Sequence, residues 1–300
     1  MSDYRIRLSG LDFGLRLTAD PGLEDELPTA LEATRDIFLD IEEAAPDAEV
    51  IARADVHRLA EGWRLTLEDS RSVTYPDPNH VSRSLEAELE KAFLEHPTSR
   101  LLLHGGSVVR GHAACAFMAS ADRGKTTSAL HCLELGAGFL TEEVTTVDVE
   151  SWEVAPHLRS LSTGSAHLER LSERFPLKAG RLKVFDGLEA RYVPSRLHRA
   201  PAQLRVIVIP TYDPDGVNGL TDANAADVLT EMLGYCFEPR QDHEQFVDGM
   251  IALLCRCRIL RLRYRDSGAA RDLLTGLTEM LDAEGGLSDL SGLSGSLEEG

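Results

Sequence analysis

The chain is poor in the features that mark several large classes of protein. It holds five cysteines in 300 residues, an odd number that fits reduced thiols better than a disulfide framework. No apolar run approaches the length of a membrane span. The opening Met1-Ser2-Asp3-Tyr4-Arg5-Ile6-Arg7 is not followed by a hydrophobic segment of signal-peptide type, so a cytoplasmic location is expected. Positive charge is also scarce: 31 Lys and Arg face 50 Asp and Glu, for a formal net charge of −19. The summed field repels phosphate polymers and excludes long-range attraction to nucleic acid or an anionic membrane, though not a local basic site for one nucleotide. Lysine occurs only at Lys91, Lys125, Lys178 and Lys183. What the chain does have is 43% hydrophobic residues, enough at this length for one large core or two smaller ones.

One of those lysines lies in the most informative stretch, Ala119-Ser120-Ala121-Asp122-Arg123-Gly124-Lys125-Thr126-Thr127. The apolar run 113–118 before it has the length of a strand. After it, Ala129, Leu130 and Leu133 share one helical face, with Gly136 as a stop. Strand, tight loop and helix N-terminus together turn orphan N–H groups and the positive helix end toward an anion. The phosphate-loop pattern is G-x-x-x-x-G-K-[ST], in which the lysine reaches the β and γ phosphates and the hydroxyl ligates Mg²⁺. Gly124, Lys125 and Thr126 match its second half, and Ala119 stands at its first glycine. The alternative is an ordinary strand-to-helix turn that happens to contain Gly-Lys.

Phosphoryl transfer also needs carboxylates and a polar group near the phosphate. Thr141-Glu142-Glu143 ends the strand-like segment after the loop helix, although paired acids at a strand end also occur as plain solvated surface. His104-Gly105-Gly106 precedes the loop by one hairpin, and a histidine there can act as a phosphate donor or as a satisfied half-buried residue. Cys255-Arg256-Cys257-Arg258 reads as part of a strand with one phase slip, a bulge, that continues to Arg265, with both cysteines buried. Without a second cysteine pair, zinc is not expected there.

Residues 1–98 have their own character. Tyr4–Leu8 and Phe13–Leu17 read as strands, 24–43 as helix, and 63–67 with 72–75 as a hairpin. A helix follows from His80 to His96, with Leu85, Leu89 and Phe93 at helical spacing. This region is expected to be an accessory or recognition unit. Residues 99–283 should form the loop-bearing domain: strands at 101–104, 107–110, 113–119, 138–141, 144–147, 152–154 and 204–209, and helices at 222–234, 241–254 and 268–282. Residues 284–300 are low-complexity and acidic, and are expected to be a disordered tail.

The order Leu103-His104-Gly105, then Phe117 through Thr127, then Gly138 through Val144, resembles the HPr serine kinase/phosphorylase family and its relatives that phosphorylate precursor peptides. The resemblance covers about 45 residues well and 150–283 loosely. It implies an α/β fold, a P-loop domain with a mixed sheet like that of HPr kinase and phosphoenolpyruvate carboxykinase, preceded by a smaller α+β region. It also implies an ATP- and Mg²⁺-dependent kinase acting on a hydroxyl, a serine first of all, of a peptide or protein, with a homo-oligomer left open. Carried over, residues 121–127 (Ala121, Asp122, Arg123, Gly124, Lys125, Thr126 and Thr127) would hold the nucleotide. Thr126 and Glu143 would hold Mg²⁺, Glu142 and Glu143 would share base and metal duties, and His104 would sit near the γ phosphate. Pro156 through Ser162 looks like a basic segment of these relatives, which makes Arg159 a phosphate contact. Departures are Ala119 and Asp122 for two glycines, and Glu for Asp at both acidic positions. They define a second reading: a non-catalytic nucleotide-binding or scaffold protein.

Overall fold

Alternation of large apolar residues builds the first sheet. In β1 (Ser2–Leu8) and β2 (Leu11–Ala19), Tyr4, Ile6, Leu8, Phe13, Leu15 and Leu17 are buried at every second position, the period of a pleated strand with one covered face. The order is β3-β1-β2-β4-β5-β6, with β3 (Ile41–Glu43), β4 (Arg53–Leu59), β5 (Gly62–Leu67) and β6 (Ser72–Tyr75). Neighbours are antiparallel except β2 with β4. Helices α1 (Leu27–Arg35) and α2 (Pro78–Glu95) pack on one another, α1 against β2 and α2 against β5. Val81, Leu85, Leu89 and Phe93 form the buried stripe of α2. Asp77 caps it by accepting from the amides of Asn79 and His80 at 2.9 and 3.1 Å, satisfying two of the donors a helix start leaves open.

The computed structural model describes residues 2–45, 48–68, 71–96, 100–121, 123–164, 178, 180–184, 189–237 and 243–288. They fall into two units, of which the first is Met1–Pro97 with His157–Leu171 and Arg181–Val193. Two segments expected in the loop-bearing domain therefore belong to the first unit. They carry most of a three-stranded sheet, order β12-β14-β13, made of β12 (Leu161–Gly164), β13 (Gly180–Val184) and β14 (Glu189–Pro194). They also carry two cations into the first unit's interior. Arg191 makes a two-pronged ion pair with Glu86 (2.8 and 2.5 Å), and Arg159 donates to Glu86 at 2.9 Å and Glu90 at 2.7 Å. Buried charges persist only when paired in this way.

The second unit is built on a sheet of eight strands. β7 (Leu101–Arg110) pairs antiparallel with β8 (Ala113–Met118); β8 pairs parallel with β15 (Ala202–Tyr212), and β15 parallel with β17 (Arg258–Tyr264), which β16 (Gly219–Ala223) flanks. On the other side, β9 (Gly138–Thr141) and β10 (Val144–Val147) both run along β7, and β11 (Glu153–Ala155) pairs with β10 and with β15. β7, β8, β15, β11 and β10 thus close into a ring. Every residue of β8 is buried, as expected for a strand with neighbours on both edges and cover on both faces. Ala114, Ala116 and Met118 share one core with Leu101, Leu204, Ile207 and residues of α4 (Ala225–Leu233) and α5 (His243–Arg256). Cys115 and Phe117 lie outside that core, and α3 (Lys125–Glu134) and α6 (Ser267–Ser288) pack together and against β8.

Several expectations change. The helix over 24–43 stops at Arg35, after a 3₁₀ turn at Glu24–Glu26, and the chain re-enters the sheet as β3. Residues 101–110 form one strand straight through Gly105-Gly106, not two separated by a turn. The phase slip near Cys255 is the junction between α5 and β17, so it is no bulge, and Cys255 is exposed while Cys257 is buried. α6 continues through Ser288, five residues into the stretch expected to be disordered: Ala283 and Glu284 are good helix formers, and the two glycines after them weaken a helix without ending it. Residues 289–300 lie outside the described residues. Among the described residues, no helix is long and apolar enough to cross a membrane.

Candidate functional site

The loop leaves the buried end of β8. Ala119, at the position of the missing first glycine, is 1% exposed, so its methyl sits in the unit's interior. Ser120, Ala121 and Arg123 are exposed, and Asp122 lies outside the described residues. The chain then turns at Gly124, with φ 99° and ψ 17°, in the left-handed region where glycine alone is unstrained. Space demands glycine there as well. A Cβ on Gly124 would run into the hydroxyl of Tyr264, at the end of β17, and lie 2.9 Å from its Cζ. Gly124 is also the N-cap of α3, with no side chain capping the helix, and the positive end of the helix dipole lies at the loop.

Lys125 folds back over the loop. Its Nζ donates to the carbonyls of Ala119 (2.7 Å) and Ser120 (3.2 Å). Thr126 follows at the start of α3, and its hydroxyl donates to Glu142 Oε1 at 3.2 Å. Thr127 is buried.

The acidic pair owes its place to an interrupted ladder. Thr141 is in register with Ser107 and Val144 with His104, so Glu142-Glu143 break the pairing opposite Gly105-Gly106. The Gly105 amide still donates to the Glu143 carbonyl at 2.9 Å, and a Cβ on Gly106 would come 2.9 Å from the Glu142 carbonyl oxygen. The glycine pair lets two backbones close on each other, and interruptions of this kind commonly re-aim side chains beside active sites. Here the two carboxylates gain different partners: Glu142 meets Thr126, and Glu143 lies within electrostatic reach of His104. The hydroxyl expected to work with Glu143 is thus hydrogen-bonded to Glu142.

His104 joins the group from β7. Its ring stacks on Phe237, with centroids 5.7 Å apart and planes at 13°. Burial lowers its pKa from the ordinary histidine range, Lys125 lowers it further and Glu143 opposes them. The neutral imidazole is favoured, a form that can accept a proton.

A second set of side chains also reaches the loop. The Tyr235 hydroxyl donates to Glu231 at 2.7 Å, and Glu231 accepts from Arg261 at 2.9 Å. Burial and Glu231 push the phenol up to about 12, while the Ser120 amide and Arg123 act in the opposite sense. No sequence motif joins Tyr235, Glu231, Arg261 and Tyr264 at a common site. The one signal was Tyr264 closing an alternating strand.

His104, Lys125, Thr126, Glu142 and Glu143 thus come together within the second unit. Arg159 does not join them. It belongs to the first unit, 5% exposed and ion-paired with Glu86 and Glu90. Burial explains the difference: a guanidinium inside a core must be matched by carboxylates and is committed to them.

No protein-family model matches the chain, and no curated protein matches it in sequence. Among solved structures it is similar to the HPr(Ser) kinase/phosphatase from Coxiella burnetii, at 9% identity and a TM-score of 0.30, covering 62% of this chain and 97% of that one.

Proposed function

We propose that the chain is an ATP- and Mg²⁺-dependent kinase of HPr-kinase type that phosphorylates a hydroxyl, a serine first of all, of a peptide or protein. The observation that carries this reading is the Thr126 hydroxyl bonded to the Glu142 carboxylate at the start of α3, beside Lys125. A hydroxyl and a carboxylate are hard oxygen donors suited to Mg²⁺, which binds through one or two protein groups and takes its remaining ligands from phosphate and water. Bound there, Mg²⁺ would neutralise charge on the transferring phosphate.

The chain's own groups then divide the work. Lys125 exchanges the Ala119 and Ser120 carbonyls for phosphate oxygens, and the amides of α3 face the same anion. Glu143 takes the proton of the acceptor hydroxyl as its oxygen bonds to phosphorus and the nucleoside diphosphate leaves. His104, neutral and stacked on Phe237, lines the place of transfer.

A second reading, nucleotide binding without transfer, is favoured by the buried Ala119 and by carboxylates one methylene longer than the family's aspartates, since small displacements cost in-line chemistry heavily. One experiment separates the two. Mg-ATP is added to the wild type and to Lys125→Ala, and thermal stabilisation is measured beside phosphate transfer to serine-containing peptides. A ligand at 100 times its Kd stabilises by about 2.7 kcal/mol, so the wild type should shift and the variant should not. Equal behaviour of the two would refute the phosphate site; a shift without transfer would favour the second reading.

A further inference from the structure

The two flanks of the loop differ in chemistry. On the β7 side stand His104, Glu142 and Glu143. On the other side run β15 and β17, both parallel to β8, so their C-terminal ends open on the same edge of the sheet as the loop, the edge where α/β proteins bind ligands. Those ends carry Tyr212 and Tyr264, which are in register with ring centroids 5.7 Å apart and planes tilted by 49°. The two rings have different fates. Tyr264 is 3% exposed and its hydroxyl lies against Gly124. Tyr212 is 46% exposed, a large aromatic surface in water on the last residue of a strand that is otherwise mostly buried.

We infer that Tyr212 is the platform for the base of the bound nucleotide. This rests on the reading of the loop as a triphosphate site. A triphosphate whose terminal phosphate lies toward Thr126 and Glu142 directs its nucleoside to the opposite flank, where Tyr264 braces the loop and Tyr212 offers its ring. The segment after β15 leaves that ring open: Asp213 turns back through its amide to the Tyr264 carbonyl at 3.0 Å, and Asp213-Pro214-Asp215-Gly216 form a turn closed by the Gly216 amide on the Asp213 carbonyl at 3.1 Å. The acidic turn suits the amino and imino donors on a base edge, and repels phosphate, which fixes the direction in which the nucleotide lies.

The test compares Mg-ATP with Mg-tripolyphosphate, which has the phosphates but no base, by titration calorimetry on the wild type, Tyr212→Ala and Tyr212→Phe. Stacking on an aromatic ring predicts that Tyr212→Ala weakens ATP about 5- to 150-fold and leaves tripolyphosphate unchanged, while Tyr212→Phe binds both like the wild type. ATP binding unaffected by Tyr212→Ala would overturn the inference, and so would equal weakening of both ligands. A wild type that binds tripolyphosphate as tightly as ATP would also overturn it while leaving the phosphate site standing. A wild type that binds neither would remove the phosphate site itself.

Discussion

Replacing Gly124 with alanine tests the loop at its tightest point. Two penalties add. The residue sits at φ 99°, and holding a side chain in the left-handed region costs about 1–2 kcal/mol. The new methyl would also overlap the Tyr264 hydroxyl and stand 2.9 Å from Cζ, well inside the contact distance of about 3.5 Å. Tyr264 is 3% exposed and has little room to yield, so overpacking adds about 1–3 kcal/mol. Gly124→Ala should therefore destabilise the second unit by about 2–5 kcal/mol. The chain's two tryptophans make this measurable, because Trp63 belongs to the first unit and Trp152 to the second. In a Trp63→Phe background, urea unfolding followed by fluorescence reports on Trp152, whose ring carries the Arg256 guanidinium at 4.9 Å. Adding Tyr264→Phe removes the overlapping oxygen but not Cζ. The pair should be less destabilised than the sum of its parts by about 1 kcal/mol or more. A neutral Gly124→Ala, or strictly additive effects, would refute the account of why glycine stands there.

Two further outcomes are expected. In NMR titrations, Lys125→Ala should raise the His104 pKa by removing a repelling cation and Glu143→Gln should lower it by removing an attracting anion; no movement in either would break the proposed grouping of the three. In the first unit, His157 is fully buried, bonded through Nδ1 to Ser9 Oγ at 3.1 Å, edge-on to Phe93 and close to Arg159. Burial holds its pKa well below 6.5. The unfolded chain therefore binds the extra proton first. Its contribution to stability is complete above pH 6.5 and falls below it by about 1.4 kcal/mol per pH unit until the folded pKa is reached. Trp63 fluorescence in urea at pH 7.5 and 5.5 should show this loss, and His157→Gln should flatten it; an unchanged slope in the variant would assign the loss elsewhere.

Some of this was legible in the sequence because the signal was local. Gly124-Lys125-Thr126 lie on contiguous residues, and β1, β2 and α2 declare themselves by period. β4, Arg53 to Leu59, was missed because charged and polar residues fill its outer face and leave few apolar positions to mark a strand. Gly105-Gly106 was read as a turn, since glycine marks turns and close approaches alike, and only the partner backbones at Phe117 and Glu142, with the Met118 side chain, tell the two apart. Arg159 shows the limit of resemblance. Its partner Glu86 lies 73 residues earlier, and no spacing rule connects them. Tyr212 and Tyr264 come together only through the parallel register of β15 and β17.

The discontinuity of the first unit bears on how the protein is made. Glu86 leaves the ribosome before its partners, Arg159 and Arg191, which follow 73 and 105 residues later. Throughout that interval its carboxylate lacks these two cations, and α2 cannot settle into its final seat at full strength. By then β7 and β8, the loop and α3 have already been synthesised. The two units must therefore mature during overlapping periods, and the nascent amino-terminal portion remains unfinished while the loop that follows it is being laid down.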